Sequence, residues 1–186
     1  IAIITASFGY AIPGTVIAVG VIIPLAWLDG IFDSFLRSSF GISSGLILSG
    51  TIFAVMFAYV VRFLALSLQT VESGLGKIKS SMEDAAYSLG CGHRETLFKI
   101  HIPLMKSSTL TALMIVFVDV MKELPATLIL RPFDFNTLAV RTFELASDER
   151  LADSSISALT IVLVGLFPVI YLSKIISKSR FEKVNK

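Results

Sequence analysis

Asp119, Lys122 and Glu123 stand in a run, Ser107–Leu130, that is otherwise apolar. Charge at the centre of a membrane helix costs about 2.5–3.5 kcal/mol per residue, so such groups pair with one another or face a polar cavity. On a continuous helix Asp119 and Lys122 are i, i+3, while Asp119 and Glu123 are i, i+4. That spacing would place two carboxylates and an ammonium on one face. Pro125 removes a backbone hydrogen bond from the turn that follows. Two uses fit: an internal ion pair that fixes the helix orientation, or the polar lining of a translocation path or its gate. The carboxylates suit a hard cation, but one Asp and one Glu do not make a storage site.

Other candidate chemistry is sparse. Cys91, His93 and the distant His101 would provide at most three metal ligands, and they read better as ordinary loop residues, so no metal site is expected. The sequence holds no Ser–His–Asp arrangement, no G-x-x-x-x-G-K and no HExxH. A membrane enzyme therefore lacks a plausible catalytic constellation. The single cysteine cannot form an internal disulfide and falls in a segment assigned below to the reducing side.

The elements that would position these groups are long and apolar. The chain has 186 residues, 54% of them hydrophobic, with a mean hydropathy of +0.81 and only 16% charged. A soluble domain carries about 25% charge, so lipid is the expected solvent. A spanning helix needs roughly 20 mostly apolar residues. Ser38–Val61 offers 24 residues without formal charge, Ser154–Ser173 offers 20, and none of Ile1–Leu28 is charged. With Pro13-Gly14 and Pro24 marking the first stretch, the expected spans are about 12–28, 43–63, 107–130 and 154–173. Gly9, Gly14 and Gly20, and then Gly45, Ser49 and Gly50, supply small faces for helix packing. The whole of 1–186 is thus expected to form one all-α, polytopic transmembrane helix bundle of about four spans. No signal peptide is read at Ile1, and the chain is expected to be a piece of a longer protein.

Charge gives orientation, because cytoplasmic flanks are enriched in Lys and Arg. Arg62, Lys77, Lys79, Arg94, Lys99 and Lys106 follow the second span, and Lys174, Lys178, Arg180, Lys183 and Lys186 form the tail. The other two connections hold Arg37, Arg131, Arg141 and Arg150 beside Asp29, Asp33, Asp134, Glu144, Asp148, Glu149 and Asp153. Loop 64–106 and the C-terminus are therefore expected in the cytoplasm. This asymmetry accounts for the basic residues, so no nucleic-acid partner is expected. The long outward loop contains Ala139, Phe143 and Ala146 at helical spacing, with Asn136 or Thr137 as a cap. It is either an interfacial helix or a surface meeting something delivered from outside.

The central loop, about 74–106, is the longest polar interruption, yet it is patterned. Ala85, Ala86 and Leu89 form a stripe on a helix over Ser81–Leu89, and Gly90 and Gly92 end it. A second short helix is expected over His93–Ile100, closed by Pro103. Two short helices joined by a glycine elbow make a knob at the membrane surface, fit for a soluble partner.

The order Asp84-Ala85-Ala86, three residues, Gly90, nine residues, then Ile100-x-Ile102-Pro103 resembles the EAA loop of ATP-binding-cassette (ABC) importer permeases. Asp84 replaces the usual Glu and Ile102 the usual Leu. The stretches "GYAIPGT" (Gly9–Thr15) and "MKELPATLILRPFDFNTLAVRTFELASDERL" (Met121–Leu151) are similar to the C-terminal half of ferric-iron permeases. The resemblance implies a type I importer permease in the bacterial inner (plasma) membrane, here lacking the N-terminal half. It implies that Asp84, Ala85, Ala86 and Gly90 sit in a cleft of a cytoplasmic ABC ATPase, with Ile100, Ile102 and Pro103 completing the ATPase-coupling loop. ATP would be bound by that partner, and no cofactor by this chain. A second permease half or subunit, a periplasmic or extracellular substrate-binding protein and membrane lipid complete the implied partners. Ferric iron is the implied cargo, with thiamine, polyamine, phosphonate and sulfate as alternatives. An ion-coupled secondary transporter using Asp119, Lys122 and Glu123 is the contrasting class, and it gives the knob no purpose.

Overall fold

A computed structural model describes residues 9–184, with the side chains of Leu172 and of 175–184 excepted. The tail bases Lys178, Arg180, Lys183 and Lys186 are therefore outside the described side chains. The described residues are helical throughout their regular structure: α1 (Gly14–Phe40), α2 (Ile52–Leu75), α3 (Ser80–Ser88), α4 (His93–Thr96), a π-helical segment Leu97–His101, α5 (Ile102–Met121), α6 (Pro125–Leu130), α7 (Leu138–Ser147) and α8 (Leu151–Val184). Among the described residues, four stretches are long and apolar enough to cross a membrane: α1, α2, the continuous run His93–Met121, and Leu151–Tyr171 of α8.

The core is built from small and branched residues on the inner faces. Ile17, Ala18, Val21 and Leu25 of α1 meet Ala54, Val55 and Ala58 of α2 and Ala126 and Leu130 of α6. Much of the remaining apolar surface, including Ile23, Trp27, Leu163 and Phe167, is exposed. Such outward apolar faces suit lipid or neighbouring helices, since lipid tails impose no demand for burial. Farther along, α2 and α5 approach closely where Gly74 faces Ser108. A Cβ on Gly74 would lie 2.5 Å from the Ser108 Cβ, a contact that only backbone movement relieves. Gly74→Ala is expected to destabilise the bundle by about 1–3 kcal/mol. The same change at Gly20, with nothing within 4 Å of the added carbon, should cost nothing in detergent unfolding.

The helix limits differ from the sequence expectation in informative places. The second helix starts at Ile52 rather than near 43, because Gly45 and Gly50 adopt φ of +62° and +71°, outside the right-handed helical region. They serve the turn, not a packing face. The first helix continues past Leu28 to Phe40 and takes in Asp29, which was expected in the outward loop. Its carboxylate is buried and accepts from the backbone N–H groups of Ile47 (3.1 Å), Leu48 (2.8 Å) and Ser49 (2.7 Å) and from the Ser49 hydroxyl (2.6 Å). The irregular chain before α2 thereby finds its hydrogen bonds, as backbone in an apolar setting must. Outside it, Asp33 receives the Ser43 hydroxyl and the Ser44 N–H and pairs with Arg37 at 2.6 Å.

The outward loop does contain the expected short helix. Thr137 caps α7 by accepting from the Val140 N–H at 3.3 Å. Arg131 bonds Glu144 at 2.7 Å and the Ser154 hydroxyl donates to the Thr142 carbonyl at 2.9 Å, tying α7 to the end of α6 and to α8.

Candidate functional site

Two features can carry function, the knob at one end of the third long helix and a polar interruption at its other end. In the knob, α3 ends at Ser88 and the chain reverses through Gly90, whose φ is +83°, a conformation that L side chains avoid. Ala86 is buried (4%) and its carbonyl accepts from Leu89 and Cys91, so it holds the elbow together. Asp84 and Ala85 are exposed, and Leu89 is 84% exposed with Phe98 and Ile102 also outward. The expected stripe is therefore divided: Ala86 packs inward, while Ala85 and Leu89 face solvent.

The second half of the knob departs from expectation. No break occurs at Pro103; α4, the π-helical segment and α5 run on as one rod of 29 residues, about 43 Å at helical rise. The Ile102 N–H bonds the Leu97 carbonyl, an i to i−5 contact. That wider turn relaxes the crowding a proline ring makes against the carbonyl four residues back, so Pro103 lies in the first turn of α5 instead of closing the segment.

Side chains bind the two halves. His101 Nε2 lies 2.9 Å from Glu83 Oε1, and the Tyr87 hydroxyl is 3.1 Å from His93 Nδ1. Sequence reasoning passed over Glu83 and treated His101 as an ordinary loop residue; their pairing has no local signature. With Glu83 engaged, the adjacent Asp84 is the free carboxylate of α3. His101→Ala is expected to loosen the elbow, raising the rate of limited proteolysis near Gly90–Gly92 several-fold, with His101→Gln intermediate because it keeps a donor.

At the far end, α5 stops at Met121. Lys122 takes φ −99°, ψ 3°, and α6 starts afresh at Pro125. This overturns the single face expected for Asp119 and Glu123, because the helix that would align them has ended. Asp119 pairs with Lys122 at 2.8 Å and receives the Tyr10 hydroxyl at 3.4 Å. Glu123 turns the other way: its Oε2 lies 3.1 Å from Arg62 Nε of α2, and its Oε1 accepts the Ala126 N–H at 3.2 Å. Glu123 is 5% exposed. A cavity of about 280 Å³ opens among these groups, lined by Tyr10, Arg62, Asp119, Lys122, Glu123 and Pro125. Arg62 and Tyr10 were missed as site residues, since each meets its partner only through tertiary packing.

Residues 2–181 match the model of the binding-protein-dependent transport system inner membrane component family. The chain belongs to that family. These permeases are membrane components of ABC importers, and the chain is similar to ferric and to phosphonate permeases alike. An Fe(3+)-transport system permease protein of Haemophilus influenzae, FbpB 2, is 31% identical over 67% of this chain and 24% of its own length. A ferric transport system permease protein, FbpB, of Actinobacillus pleuropneumoniae is 24% identical over 94% of this chain and 23% of its own. A putative 2-aminoethylphosphonate transport system permease protein, PhnV, of Salmonella typhimurium is 34% identical over 64% of this chain and 44% of its own. The chain thus spans about a quarter to under half the length of the curated relatives it matches.

Proposed function

We propose that this chain is the translocating part of an ATP-driven importer for ferric iron, worked by a separate cytoplasmic ABC ATPase. The observation that carries the reading is the exposed knob: Asp84, Ala85 and Leu89 project from α3, braced behind by Ala86 and turned by Gly90. Ile100, Ile102 and Pro103 join that knob to the third span. A soluble ATPase gripping α3 would move the attached rod, and ATP-driven closure of the ATPase would switch the bundle between inward and outward access. Asp119, Lys122, Glu123 and Pro125 line the path or its gate. The paired state of both carboxylates fits weak, passing contact with cargo better than storage of a bare cation. This chain contributes no ATP chemistry and needs no cofactor of its own. Loop 64–106 and the C-terminus lie in the cytoplasm, on the basic side. The remaining partners are a second permease half or subunit and an extracytoplasmic substrate-binding protein.

Iron is supported by the named ferric relatives. The phosphonate permease at 34% identity favours a second cargo reading, an organophosphonate. Uptake of radiolabelled iron(III) and of 2-aminoethylphosphonate by vesicles containing the complete transporter separates them. The proposal expects iron uptake that requires ATP and stops when the ATPase is inactivated. Uptake driven by an ion gradient with the ATPase dead would replace it with the secondary-transporter reading.

A further inference from the structure

We infer that Arg62 is a gate residue, and that its contact with Glu123 is a clasp holding the polar cavity shut against passive flux. The inference rests on the path reading above and adds a residue and a role to it. Arg62 lies on α2 and Glu123 at the interruption between α5 and α6, so the contact closes one element upon another. Glu123 also holds the start of α6 through the Ala126 N–H, and the Thr127 hydroxyl bonds its carbonyl. A swing of α6 against α2 must therefore break the contact with Arg62, together with the Tyr59–Thr127 hydroxyl contact at 2.6 Å. Gly14 lies over the pair as a third wall: a Cβ there would be 2.4 Å from Arg62 Nη1 and 2.8 Å from Glu123 Oε1.

The contact is built to open. An arginine used as a strut engages a carboxylate through two parallel N–H bonds. Here Nε and Oε2 stand at ion-pair distance, 3.1 Å, yet Arg62 Nε and Nη1 are buried without a hydrogen bond. The charges attract while the donors are misaligned. Unmade bonds on buried donors raise the energy of the closed arrangement, so the clasp opens more readily than a bidentate bridge. Beside it lies a void of about 280 Å³, several times the roughly 30 Å³ that one water occupies. On the path reading, the misaligned Arg62–Glu123 pair stands across this void, with the Asp119–Lys122 pair on its rim.

The test uses sealed vesicles holding the complete transporter with this chain, preloaded with radiolabelled iron(III) citrate or 2-aminoethylphosphonate and given no ATP. Wild-type vesicles are expected to stay tight, as are those with Arg37→Gln, a substitution away from the clasp. Arg62→Gln and Glu123→Gln are each expected to speed passive efflux of at least one probe about tenfold or more. The double variant should leak no more than the worse single, because both remove the same contact. Arg62→Lys, which keeps the charge, is expected to restore tightness, a rescue that a purely structural arginine fork would not give. Should Arg62→Gln fail to insert, Arg62→Lys with Glu123→Gln carries the comparison and is expected to leak. Inserted Gln variants as tight as wild type overturn the clasp, and so do additive leaks in the double variant. Wild-type vesicles that take up neither probe with ATP would count against the proposed cargo instead, and the efflux comparison would still decide the clasp.

Discussion

Asp84→Lys is expected to cut ATP-driven uptake at least tenfold while leaving insertion and thermal stability unchanged. Asp84 is exposed on α3, and the neighbouring Glu83 is drawn away to His101. The substitution therefore alters the face offered to a partner and little within the chain, and exposed changes of this kind usually stay within about 0.5 kcal/mol of stability. At a docking face the same change turns attraction into repulsion, and each 1.4 kcal/mol lost there is about tenfold in affinity. Asp84→Glu is expected to keep uptake, since the longer side chain reaches the same partner. Gly90→Val should fail for a different reason: at φ +83° a side chain is strained by about 1–2 kcal/mol, and the elbow would re-aim α3. Uptake assays beside a count of ATPase retained on the purified permease check both. Normal uptake by Asp84→Lys would remove the carboxylate from the docking face.

The largest loss of stability is expected at Asp29, which is 2% exposed. Asp29→Ala strips the acceptor from three backbone N–H groups and the Ser49 hydroxyl. An unsatisfied buried donor costs about 1–3 kcal/mol; water reaching part of the loop lowers the total, giving about 3–5 kcal/mol. Asp29→Asn should recover part of this, since its amide keeps one accepting oxygen, and Ser49→Ala should cost only about 1 kcal/mol. Midpoints of denaturant unfolding in detergent read the series. A change below about 0.5 kcal/mol for Asp29→Ala would mean that the loop at Ile47–Ser49 finds other partners.

These residues show where the sequence was legible. The knob was readable because its signals are local: a small-residue helix, a glycine that takes positive φ, and motif spacing within about twenty residues. The number of spans followed from apolar length in the same way. Asp29 counted as a flanking charge because nothing near it reveals a carboxylate that turns back on a loop eighteen to twenty residues later. Arg62 and Glu123 come from different helices, so no periodicity links them. The third span looked continuous to Leu130 because apolar residues resume directly after the charges; Asp119, Lys122 and Glu123 were read as one face of an unbroken helix, whereas Lys122 and Glu123 lie where it ends. Pro103 misled in the opposite direction, since the π-helical turn absorbs a ring that usually stops a helix.

The most direct test of the docking account is a crosslink from the knob. In a Cys91→Ser background, Ala85→Cys would be treated with a short thiol-to-amine reagent in cells expressing the complete transporter. Capture of the cytoplasmic ATPase by this position, changing in yield with nucleotide, is the expected result; failure to capture it in any nucleotide state, while the transporter still moves cargo, would contradict the account.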